Sequence, residues 1–161
     1  MSPFSVKWVY ELDQDYSINV AKQLGAALTA PCAFLDRSGR RWLELRPDGT
    51  LKVLAPYAWD GCTPKFAVLD IVIGTPDGIP NSTTRKPKAY FASLVHDALY
   101  QFMDAGLPLS RQQADHIFLD ILARDAFAPR WIYFAAVRAF GELSRRITRR
   151  KRTYSGRRIE L

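Results

Sequence analysis

Two cysteines and two histidines in 161 residues are the scarcest chemical resources of this chain. Cys32 and Cys62 cannot build a disulfide framework, and two reduced thiols suit a cytosolic setting. Neither cysteine is flanked by a histidine or a helix start that would activate it, which argues against a thiol nucleophile. His96 and His116 are too few for the multi-histidine metal sites of His-Asp phosphohydrolases. No apolar run approaches the roughly 20 residues that cross a bilayer. The N-terminal stretch lacks a basic region followed by an apolar core, so it does not read as a secretory signal. The expected location is therefore a reducing, cytosolic one.

What the chain does have is apolar mass and positive charge. Nearly half of it is hydrophobic (48%), enough for one packed domain of this length and too little for two. The net charge of +7 is concentrated late, where Arg145, Arg146, Arg149, Arg150, Lys151, Arg152, Arg157 and Arg158 crowd the last residues. Such a block suits anionic lipid headgroups or nucleic-acid phosphates, or it is a solvated tail that docks on another protein. No base-reading motif accompanies it, so any contact with nucleic acid from Arg145 to Arg158 is non-specific.

The pattern predicts an α+β domain: an N-terminal antiparallel meander followed by three helices. Phe4, Val6, Trp8 and Tyr10 alternate with more polar neighbours, as in a half-buried strand. Residues 17–30 suit a short helix through Val20, Leu24, Ala27 and Leu28. Three strands, Cys32–Leu35, Arg41–Leu45 and Thr50–Ala55, are separated by turn signals at Asp36–Gly39 and Pro47–Gly49. Residues 63–87, rich in Pro, Gly and Thr, read as a long ordered loop. A first helix runs from about Lys88 to Asp104 and is stopped by Gly106 and Pro108. A second opens at Ser110 with Gln113 completing a capping box. A third starts at Pro129. The domain is expected over residues 1–144, with a helical site module at about 56–142 and a basic tail at 145–161.

The candidate site lies on the first two helices. His96 and Tyr100 are four residues apart and share a helix face, while Asp97 points about 100° away. The short connection makes the second helix fold back, which puts Asp115 at the height of His96. A carboxylate opposite an imidazole fixes its tautomer and stabilises its protonated form, as a water-activating histidine requires. The same pair can also be purely structural, and Asp115 can serve the first turn of its helix through the macrodipole. His116, beside Asp115 but about 100° around the helix, reads as a surface residue.

Three segments then carry a resemblance: Asp60-Gly61-Cys62-Thr63, His96-Asp97-Ala98-Leu99-Tyr100, and Arg111-Gln112-Gln113-Ala114-Asp115-His116-Ile117-Phe118. In that order they resemble the secreted bacterial and fungal phospholipase A2 family. With Ala136-Val137-Arg138-Ala139-Phe140-Gly141 added, they resemble more closely a family of uncharacterised phage and prophage proteins, over roughly Trp42 to Gly141. The phospholipase resemblance implies that His96 is the general base, that Asp115 orients it, and that Tyr100 supports the network. It implies Ca²⁺ held by Asp97, Asp60 and a neighbouring backbone carbonyl, polarising an ester carbonyl. One departure stands out. The secreted enzymes bridge the Cys of the D-G-C loop to a Cys three residues before the histidine, and here those positions are Cys62 and Ser93. Two functions follow from the resemblance. One is a Ca²⁺-dependent lipid or carboxylic ester hydrolase acting during infection or lysis, with anionic membrane as partner. The other is a non-enzymatic virion or assembly protein, a head-tail or tail component, whose partners are neighbouring subunits or packaged nucleic acid. Neither fixes the oligomeric state.

Overall fold

The computed structural model describes residues 10–25, 28–59, 80–139 and 156–161, and the backbone of 66–68 and 71–73. It is an α+β fold in which antiparallel strands precede three helices. The main sheet has five strands in the order β2 (Tyr16–Asn19), β5 (Thr50–Val53), β4 (Arg41–Leu45), β3 (Cys32–Leu35) and β9 (Arg157–Glu160). All four pairings are antiparallel. Smaller pairs are β1 (Tyr10–Glu11) with β6 (Ala58–Trp59), and β7 (Phe66–Val68) with β8 (Ile71–Ile73).

Local chemistry accounts for the meander. Asp36 closes the β3–β4 turn by accepting from the backbone N–H groups of Ser38 (2.8 Å) and Arg40 (3.0 Å), and from Trp42 Nε1 (2.8 Å). The β4–β5 turn needs Gly49 at φ +83°, where a Cβ would stand 2.6 Å from the backbone of Ala21. On β5, Leu51 and Val53 are buried while Thr50 and Lys52 are only partly so, the period-2 signature of a sheet with one core face. The run Cys-Ala-Phe-Leu of β3 is buried throughout, as expected of a strand covered on both faces.

Three segments differ from the sequence expectation. Within 17–30 the chain forms strand β2 and then a single 3-10 turn at Ala21–Gln23, instead of a short helix. Tyr16 and Ile18 are the more covered residues of β2, and Asn19 uses its carboxamide to accept from Ala21 N–H (3.0 Å) and to donate to the Asp48 carbonyl (2.9 Å). Side chain-to-backbone bonding of this kind competes with helix. The segment read as a long loop contains the hairpin β7–β8, built from β-favouring Phe, Val and Ile. Finally Arg157 and Arg158, grouped by sequence with the basic tail, lie in β9, which pairs with β3 from Cys32↔Glu160 to Leu35↔Arg157. The strand proposed around Phe4, Val6 and Trp8 lies outside the described residues, apart from Tyr10.

Helix α1 (Tyr90–Phe102) ends in a 3-10 turn and Gly106 at φ +82°. Helix α2 (Arg111–Arg124) begins with the expected capping box: Ser110 Oγ accepts from Gln113 N–H, and Gln113 Oε1 accepts from Ser110 N–H. Residues 130–139 are helical and are named α3. Phe34 of β3 meets Phe102 of α1, Tyr16 of β2 stacks on Phe91, and Trp59 meets Tyr90 edge-on. On its other side α1 packs against α2, with His96 beside Phe118. Among the described residues no helix is long and apolar enough to cross a membrane.

The β9 strand yields a stability prediction. Deleting residues 157–161 uncovers one edge of β3, whose Cys32, Ala33 and Phe34 are fully buried. The truncated protein should unfold at clearly lower urea concentration than the full chain, by urea titration followed by circular dichroism. Equal midpoints would show that β9 adds nothing to the sheet.

Candidate functional site

The α1–α2 interface is apolar except at one place. Asp115 is completely buried, between Ala114 and the core residues Ile117 and Phe118. An ionised carboxylate in such a position is costly unless it is paired and hydrogen-bonded, and this one is. Its Oδ1 atom accepts from Tyr100 OH at 2.6 Å and lies 3.0 Å from His96 Nε2. Its Oδ2 atom accepts from Arg138 Nη1 at 3.2 Å and lies 3.9 Å from Arg111 Nε. Arg111 donates in turn to Tyr100 OH (3.0 Å) and to the backbone carbonyls of Val137 (3.1 Å) and Arg138 (2.8 Å).

The helical geometry explains the convergence. His96 and Tyr100 occupy successive turns of α1 with ring centroids 4.2 Å apart, and both reach the same oxygen. Arg111 and Asp115 stand one turn apart on α2. Arg138 arrives from α3, so a single carboxylate joins all three helices.

Electrostatics follow from that geometry. Burial pushes the Asp115 carboxyl upward, but hydrogen bonds from His96, Tyr100 and Arg138 outweigh it and hold the group below the usual carboxylate range. Burial, with donation to Asp115, pushes the Tyr100 phenol well above its ordinary value, so it stays a donor. A carboxylate only accepts hydrogen bonds. His96 therefore presents Nε2–H to Asp115, which in the neutral imidazole leaves Nδ1 as the basic nitrogen.

The other residues singled out by sequence fall as follows. Asp97 is half-buried on α1, next to His96. Asp60 lies outside the described residues, as do Gly61 and Cys62. The residue before them is fixed: Trp59 is fully buried, and its Nε1 donates to Ser93 Oγ at 3.1 Å. Ser93 donates onward to the Tyr90 carbonyl. Among the described residues no group of three or more His, Cys, Asp or Glu side chains is arranged to hold a metal. His116 lies on the exposed side of α2, with Nδ1–H donating to the Gln112 carbonyl (2.7 Å) and its ring edge-on to Phe134.

Two members of the cluster were assigned no role from sequence: Arg111 and Arg138. Arg111 had a readable signal, the spacing of four to Asp115 along one helix. Arg138 had none of its own, because only the return of α3 brings it to the carboxylate.

Asp115 makes the cluster pH-sensitive. Its folded-state pKa is lowered, so its contribution to stability is complete above the unfolded value of about 3.9 and is lost as pH falls through the folded value. Asp115→Asn should lower the melting temperature at pH 7 and flatten its fall between about pH 5 and 2 relative to wild type. Asp115→Ala should cost about 3–5 kcal/mol, since it strands buried donors. Parallel acid limbs for wild type and Asp115→Asn would refute the assignment. No family model, curated protein or solved structure matches the chain.

Proposed function

We propose that the chain is a phage-type, phospholipase A2-like ester hydrolase that uses a His96–Asp115 pair to activate water. The observation that carries this reading is the contact between His96 Nε2 and the buried carboxylate of Asp115 at 3.0 Å, with Tyr100 on the same oxygen. Asp115 fixes the imidazole tautomer and would stabilise the imidazolium formed when Nδ1 takes a proton from water. Tyr100 and Arg111 hold the carboxylate in place, which keeps the imidazole from rotating. Asp97 and Asp60 are the residues that would hold Ca²⁺, whose chemistry would be to polarise the ester carbonyl and offset charge on its oxygen. Both are hard oxygen donors, as Ca²⁺ requires. Two carboxylates supply only part of its six to eight oxygens, and backbone carbonyls and water would supply the rest.

A second reading is favoured by a different observation. Asp115 is shared by groups from all three helices, and Arg138 ties α3 directly to it. A cluster this fully paired also serves as a rigid polar lock in a virion or assembly protein that performs no chemistry.

Hydrolysis separates the two. With phospholipid vesicles and millimolar Ca²⁺, the hydrolase reading expects fatty-acid release that stops on adding chelator. His96→Ala should reduce it by about 10²-fold or more, the usual scale of a general base. Release that ignores both chelator and His96→Ala, or no release at all, overturns the hydrolase reading and leaves the polar lock.

A further inference from the structure

Helix α3 presents an apolar surface where a surface helix ordinarily carries charge. Trp131 and Ile132, in its first turn, are 60% and 62% exposed. Among the described residues the only other exposed large hydrophobic is Leu161 at the chain end. Ala135 and Ala139, on the following turns, are exposed on the same side. The inward side is apolar as well, with Tyr133 buried edge-on against Phe127. Trp131 also meets Phe134 edge-on at 6.1 Å, which braces the exposed indole, and the Arg130 guanidinium stands 6.0 Å from its ring.

In the sequence that carries and follows this face, charge is almost entirely of one sign. Residues 130–158 contain ten Lys and Arg against one acidic residue, Glu142. An exposed Trp–Ile pair within a cationic stretch of sequence matches the boundary of an anionic bilayer, where Trp settles at headgroup depth and arginines meet phosphates.

We propose that the exposed face of α3 is a docking surface for anionic lipid bilayers, with Trp131 and Ile132 inserted below the headgroups. Nucleic acid would use the arginines and could stack on Trp131, but it has no use for Ile132, Ala135 and Ala139. A second copy of the chain would bring two strongly cationic segments together. The inference stands apart from the hydrolase reading, because an assembly protein with this face docks equally well.

The test is co-sedimentation of the full chain with sucrose-loaded vesicles of phosphatidylcholine alone or mixed with phosphatidylglycerol, combined with tryptophan emission. Binding should require phosphatidylglycerol, weaken with salt and shift the emission to the blue. The double variant Trp131→Ser/Ile132→Ser should bind about tenfold or more weakly. Both side chains are exposed, so its thermal unfolding should match wild type. His96→Ala should bind like wild type, so that a failure of hydrolysis does not count as a failure of docking. No vesicle binding, or undiminished binding by the double variant, overturns the proposal. So does a dimer in sedimentation velocity that the double variant dissolves, or a Trp131-dependent response to a single-stranded oligonucleotide with none to vesicles.

Discussion

One buried charge organises the helical half of this protein. Removing the Asp115 carboxylate from water is tolerable only because His96, Tyr100 and Arg138 donate to it and Arg111 stands close by. These groups come from three separate helices, so satisfying the charge fixes how the helices sit on one another. Apolar packing between α1 and α2 is tolerant of small shifts. A carboxylate with three donors at 2.6–3.2 Å is not.

The sheet acts as the platform for that arrangement. Phe34, Tyr16 and Trp59 hold one side of α1, leaving the other side to turn His96 and Tyr100 toward α2. The Trp59–Ser93 hydrogen bond is informative here. It ties the chain just before Asp60 to α1, one turn before His96. A neutral hydrogen bond of this kind contributes about 0.5–1.5 kcal/mol.

Much of this was legible in the residues themselves. The apolar stripes of α1 and α2, the Ser110–Gln113 box, the stop at Gly106 and the turns at Asp36 and Gly49 are local signals, decided by atoms a few bonds apart. The pairing of His96 with Asp115 was legible for a related reason, because a short connection between two amphipathic helices leaves one way to fold back. The strand at 16–19 was harder to read, since Val20, Leu24 and Leu28 mimic a helical stripe. Its side-chain bond to Ala21 is local, but the one to the Asp48 carbonyl reaches 29 residues along the chain and needs the β4–β5 turn beside it.

By itself, then, the sequence determined the class of fold, the two helices of the candidate site, and the set His96, Tyr100 and Asp115 with Asp97 beside it. These follow from periodicity, caps and short connections, which act over one or two turns. Only the tertiary structure decided that Arg138 completes the cluster, that Arg157 and Arg158 belong to a sheet strand, and that α3 turns Trp131 and Ile132 outward. Each of those depends on residues at least 20 positions apart in the chain, or on which face is left over when packing is finished. Neither is encoded in any local pattern.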